Sequence, residues 1–217
     1  MNFPNESKEY RAARDKLLAA EIELRKHVET VAAQRRKLPA GGEVPEDYVF
    51  EAEKGPVRLS QLFENGNTLV AYNFMYGPKM PKACPMCTSM LDGLNGNAQH
   101  IAQRTNLVVI AKSPLARILE HARGRGWSNL RLLSSEKNSY NRDYGGETAD
   151  GAQMPMLNVF RKSGTARHFY GTELLHAKPQ KGQDPRHIDM IWPLWNLLDF
   201  TPDGRGADWY PKLDYGR

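Results

Sequence analysis

The sequence predicts an α/β protein: a three-layer α/β/α domain with a mixed central sheet, preceded by one long N-terminal helix. Three observations predict it. Residues 6–38 contain no Gly or Pro and are rich in Ala, Leu, Glu, Lys and Arg, which lose little on entering a helix. Two apolar runs, 68–75 and 107–111, have the length and composition of buried strands, and the helical pattern between them makes a βαβ unit with parallel pairing. Further on, residues 156–160 and 166–170 flank Lys162-Ser163-Gly164 as an antiparallel hairpin, which makes the sheet mixed.

Taken in order, the N-terminal helix (1–38) carries Tyr10, Leu17, Leu24, Val31 and Leu38 at every seventh residue, flanked by Ala13 and Ala20. The companion heptad positions hold His27 and Gln34, so this stripe reads as packing against its own domain, with a homodimer contact as the alternative. A breaker-rich linker (39–47) follows, Pro39-Ala40-Gly41-Gly42-Glu43-Val44-Pro45. The main domain (48–198) opens with a short hairpin from residues 48–51 and 57–59. After the first central strand come a loop with Gly77, Pro78 and Pro81, a helix to Ala102, the second strand, a helix from Pro114 to Arg123 and a short strand at 130–133. Residues 137–153 are dense in Asn, Tyr, Asp and Gly and read as a long irregular loop. A last helix over 186–198 carries Ile188, Ile191, Trp192, Trp195 and Leu198 at helical spacing, and 199–217 form an aromatic tail.

A chain of 217 residues can bury a core without disulfide staples, and its two cysteines, three positions apart, cannot staple a fold of this size. No apolar run approaches the ~20 residues of a membrane helix, and the N-terminus has neither the basic start nor the apolar stretch of a secretory signal. A soluble, cytoplasmic protein in a reducing compartment is therefore expected, where such a pair is more often catalytic or metal-binding than structural. The net charge of +5 is interspersed rather than blocked, and Arg123-Gly124-Arg125-Gly126-Trp127 is a single short basic patch, so no nucleic-acid partner is expected.

The chemistry points to Cys84-Pro85-Met86-Cys87, which stands directly before a helix. A cysteine at a helix start meets exposed amide donors and the positive end of the helix dipole, both of which favour its thiolate. Cys84 is the nucleophile on this reading. Pro85 suits the first helical position. Cys87 shares a face with Leu91, Leu94, Ala98 and Ile101, which makes it the shielded, resolving thiol, and Lys79 and Lys82 would add positive charge if they point inward. Met154-Pro155 opens a strand where a cis peptide could lie beside the dithiol.

Strand, CxxC on a helix, strand, helix, then Pro before a hairpin and a final helix resembles the thioredoxin superfamily. The lead-in at 48–74 and Leu130-Arg131-Leu132-Leu133-Ser134 followed by Tyr144-Gly145 is similar to its peroxiredoxin and alkyl-hydroperoxide-reductase branch, whereas Pro directly after the first Cys is similar to glutaredoxin. The whole chain, including residues 200–210, also resembles a bacterial thioredoxin-like family of unknown function. The resemblance implies Cys84 and Cys87 as redox residues and Pro155, with Met154, as the substrate-facing pair. A trans Pro155, or a Cys84 buried away from any groove, would defeat this site assignment.

Thiol-disulfide exchange through the CPMC pair is thus the leading reading, with a disulfide-containing protein or a small-molecule thiol as partner and no cofactor or resident metal. Peroxiredoxins place Thr or Ser three residues before the reacting Cys and Pro four before that; here those positions hold Pro81 and Gly77, so a peroxidase ranks lower. Copper handling is the binding alternative, since Met75, Met80, Met86, Met90, Met154 and Met156 cluster in sequence around the thiols and soft ligands select Cu(I). Methionine packs cores and adaptable surfaces equally well, and that plainer role is favoured for them. A redox-inert interaction module is the third reading, and the intact CxxC argues against it. The six histidines, His27, His100, His121, His168, His176 and His187, are scattered and read as surface or hydrogen-bonding residues.

Overall fold

Ser7 starts the first helix by accepting a hydrogen bond from the Tyr10 N–H, the side-chain cap that an orphaned first turn needs, and α1 then runs Lys8–Arg36. The computed structural model describes residues 3–181, together with the isolated positions 193 and 213. The predicted last helix and aromatic tail therefore lie outside the described residues. Two compact units divide at residues 39 and 40.

In the second unit the elements are β1 (Val49–Ala52), β2 (Val57–Arg58), β3 (Thr68–Asn73), α2 (Pro85–Ala102), β4 (Asn106–Ala111), α3 (Leu115–Arg125), β5 (Leu132–Ser134), α4 (Tyr140–Asp143), β6 (Met156–Ser163) and β7 (Thr165–Gly171). The sheet order is β2-β1-β5-β4-β3-β6-β7. β3, β4 and β5 are parallel, while β6 returns antiparallel beside β3 and β7 beside β6. The predicted βαβ unit, the hairpin and the mixed sheet are all present.

Both faces of the central strands bury apolar side chains, as the continuous apolar runs require. One face carries Tyr72, Phe74, Val109 and Ala111 against Met90 and Leu91 of α2 and Ile118 and Ala122 of α3. The opposite face carries Leu69, Ala71, Val108 and Ile110 against Tyr48, Phe50, Leu62, Tyr140 and Phe160. Each large apolar side chain fully removed from water contributes about 1.5–3 kcal/mol.

Two details differ from the sequence reading. The irregular segment at 137–153 contains the single turn α4, whose Tyr140 is fully buried among Tyr48, Phe50, Tyr144 and Phe160. The segment 39–47 is not a free tether: the Val44 N–H donates to Ala166 O (3.0 Å) and the His168 N–H to Gly42 O (2.9 Å), which covers the open edge of β7. A Cβ at Gly41 would stand 1.9 Å from His168 O, so only glycine permits this approach. Within α2, a Cβ at Gly93 would meet Pro193 at 3.3 Å, whereas none of the described residues comes within 4 Å of one at Gly96.

Candidate functional site

The strand β3 ends at Asn73, and the chain passes through Phe74, Met75 and Tyr76 into the loop that leads to Cys84. The Cys84 N–H returns to Met75 O (3.1 Å), which fixes the cysteine directly beyond the sheet edge. Cys84 is the N-cap of α2, with extended backbone (φ −62°, ψ 122°) and Pro85 at the first helical position. Its Sγ accepts from the Cys87 N–H at 3.5 Å, the bond that a thiolate strengthens most.

Both cysteines are buried, Cys87 the more deeply. Both are free thiols, Cys84 8% exposed and Cys87 1% exposed. Burial pushes the Cys87 thiol well above its ordinary range, and the hydrogen bond and negative charge of Cys84 push in the same direction; the Tyr72 hydroxyl on β3 and the Met75 backbone oppose this. Ionisation of Cys84 therefore leaves Cys87 protonated. Below Cys87, Leu91 and Ala98 of the predicted stripe are buried, Leu94 and Ile101 are only half-buried, and Met90, outside the stripe, is buried as well.

Several supporting residues have no counterpart in the sequence reading. Thr88 donates its hydroxyl to Cys84 O (2.9 Å) while its N–H reaches the same carbonyl (3.0 Å). With that single proton committed, the contact between Thr88 Oγ1 and His121 Nε2 (3.2 Å) must be donated by the imidazole. His121 sits among Phe74, Tyr76 and Trp127, with ring centroids 5.3–5.7 Å away. Burial first, and then the charge of Arg125, pull its pKa below the usual histidine value against the opposing charge of Asp92. Asp92 ties α2 to the end of α3 by accepting from Trp127 Nε1 (2.7 Å) and pairing with Arg125.

Arg117 on α3 holds the loop before the cysteines. Its guanidinium donates to Gly77 O (3.3 Å), Pro78 O (3.5 Å), Met80 O (2.5 Å) and Ser113 Oγ (3.4 Å), and lies 4.3 Å from the Tyr76 ring centroid. Lys79 and Lys82, which the sequence reading placed near the thiol, are both exposed.

Met154 and Pro155 are half-buried. The pairing of Met156 with Asn73 brings them to the sheet end where β3 enters the cysteine loop, and the Met154 N–H donates to Gly146 O (3.0 Å). Among the described residues every peptide bond is trans, including Met154–Pro155. The expected cis bond is thus corrected, and the condition set for the Pro155 role fails; the strand register alone keeps the pair at this edge. The methionines divide between two places. Met75, Met80, Met86 and Met90 pack into the cluster that contains both cysteines, whereas Met156 meets Gly145, Gly171 and the Thr172 hydroxyl instead. Among the described residues no three His, Cys, Asp or Glu side chains converge as a metal site, and no helix is long and apolar enough to cross a membrane.

Residues 1–215 match the family described as "Bacterial protein of unknown function (DUF899)". The chain belongs to this family. No curated protein matches it. Among solved structures it is similar to the peroxidoxin BcpB from Mycobacterium tuberculosis, at 18% identity, covering 71% of this chain and 94% of that one, with a TM-score of 0.48. It is also similar to the reduced 2-Cys peroxiredoxin of Plasmodium vivax (15% identity, 74% and 96% covered, TM-score 0.47) and to the exposed lipoprotein thioredoxin Etrx1 of Streptococcus pneumoniae (14%, 67% and 98%, 0.44). The DUF899 chain has an α/β fold built on a mixed seven-stranded sheet, its β7-β6-β3-β4 order set by the registers above.

Proposed function

We propose that this DUF899 protein is a thiol-disulfide oxidoreductase acting through Cys84 and Cys87. The observation that carries the reading is the placement of the pair: Cys84, itself buried, stands at a helix N-cap with its sulfur accepting an amide hydrogen bond, while Cys87 lies deeper with its thiol pushed up by burial. In the reducing direction the Cys84 thiolate attacks a substrate disulfide, forming a mixed disulfide and expelling the substrate's other sulfur as a thiolate. Cys87 then gives up its proton and attacks Cys84 Sγ. The second substrate sulfur leaves and takes up a proton, so the substrate gains two electrons and the pair closes as a disulfide.

The Thr88 hydroxyl is spent on the Cys84 carbonyl rather than aimed at the sulfur, and Pro81 stands where a peroxiredoxin places Thr or Ser, which favours exchange over a peroxidase. With its Pro trans, the Met154–Pro155 pair is left out of the substrate site on this reading, and the partner is a disulfide-bearing polypeptide or small thiol in a reducing compartment. Packing of Met75, Met80 and Met86 with the two thiols favours a second reading, Cu(I) binding. Cys87→Ser, reduced, freed of reductant and then incubated with native insulin, should accumulate a mixed disulfide at Cys84 seen by intact mass; no adduct at any pH from 7 to 9 would sink the exchange reading.

A further inference from the structure

We propose that α1 is a homodimerisation element that pairs, parallel and in register, with α1 of a second copy. Tyr10, Leu17, Leu24 and Val31 stand at every seventh residue of the helix, and Leu38 continues the series two residues past its end. A straight helix drifts away from a strict seven-residue repeat, whereas two supercoiled helices keep it facing the partner. These side chains are 51, 51, 62, 36 and 44% exposed in chain order, and none of the 29 residues of α1 is buried. A helix about 43 Å long draws most of its stability from packing an apolar face. Within its own unit that face is uncovered.

The flanking charges select the occupant. In a parallel, in-register pair, the residue preceding each stripe position faces the residue five further on in the partner. Glu9 then meets the partner's Arg14 and Lys16 meets the partner's Glu21, and the two-fold axis doubles both attractions. Glu23 meets the partner's Val28 and Thr30 the partner's Arg35, so no like charges oppose. An antiparallel register that sets stripe residues against Ala13, Ala20, His27 and Gln34 instead puts Glu21 on the partner's Glu21 and Glu23 on the partner's Glu23. The parallel arrangement also stacks Leu17 on Leu17 and Leu24 on Leu24. Ala13 and Ala20 allow close approach at the N-terminal end, and the polar His27 and Gln34 layers penalise a slipped register, as single polar core positions do in coiled coils. A second copy of this chain is thus the partner whose charge order matches by construction.

The test is sedimentation velocity of the reduced full chain at 1–100 µM. A dimer is expected, and Leu17→Asp with Leu24→Asp should raise its dissociation constant at least a hundredfold without changing the rate of Cys84 alkylation. Lys16→Glu should weaken the dimer about tenfold, and Lys16→Glu with Glu21→Lys should restore it. Leu17→Cys in a Cys84→Ser, Cys87→Ser background should oxidise to a 17–17 crosslink, since only parallel pairing brings those positions together. A wild-type monomer at 100 µM, a dimer that survives both aspartates, a charge swap that fails to rescue, or a dimer without the crosslink would each overturn the proposal.

Discussion

Replacing Arg117 by Leu removes the clamp on the loop before Cys84 while keeping the aliphatic bulk of the side chain. Its two shortest bonds run to Met80 O at 2.5 Å and Gly77 O at 3.3 Å, and the guanidinium is half-exposed rather than sealed. Charge-assisted hydrogen bonds in such a setting contribute about 1 kcal/mol each, and the stacking on Tyr76 about 0.5–1 kcal/mol. Arg117→Leu should therefore lose about 2–3 kcal/mol in urea unfolding of the reduced protein. A second readout separates the loop from the fold. Cys84 is nearly closed to solvent, so release of residues 77–80 should speed its alkylation by iodoacetamide several-fold at pH 7.5. Arg117→Lys keeps the charge but not the planar fork and should recover less than half of the stability. A loss under about 0.5 kcal/mol with an unchanged alkylation rate would refute this account, because it assigns the energy to those specific carbonyl bonds.

Asp92→Ala strands the largely buried indole N–H of Trp127 and removes one ion-pair partner of Arg125, and should cost about 2–4 kcal/mol in chemical denaturation; a change below 1 kcal/mol would show that water replaces the carboxylate. Burial lowers the pKa of both His121 and His168, so the unfolded chain binds protons first as pH falls. Stability is complete above the unfolded histidine value of about 6.5 and declines as pH drops below it. Melting temperature between pH 7 and 5 should fall in the wild type and fall less in His121→Gln with His168→Gln; equal slopes would exclude these two groups as the cause.

Much of this architecture is legible in local sequence because it rests on local signals. The gap between breakers defines α1, the apolar runs define β3 and β4, and a Cys-Pro pair at a helix start needs only the helix to explain it. One supporting contact was also within reach: Thr88 lies four residues after Cys84, the spacing at which a helical Thr bonds back to a carbonyl. His121 shares the inward face of α3 with Ile118 and Ala122, which marks it as a half-buried group but does not name Thr88 as its partner. Arg117 was out of reach. Its acceptors are backbone carbonyls 37–40 residues earlier, and carbonyls carry no residue identity. The buried Tyr140 anchor was hidden by a composition that otherwise reads as loop, and the isomer of Pro155 is a property of tertiary context rather than of the Met-Pro dipeptide.

The most direct test of the central claim is a redox titration of the purified protein in defined glutathione buffers, with Cys84 and Cys87 read separately by alkylation and mass. The account predicts a reversible two-electron couple between about −120 and −270 mV, with Cys84 alkylating faster than Cys87 throughout. A pair that stays reduced across the whole range, or a Cys87 that reacts first, would contradict it.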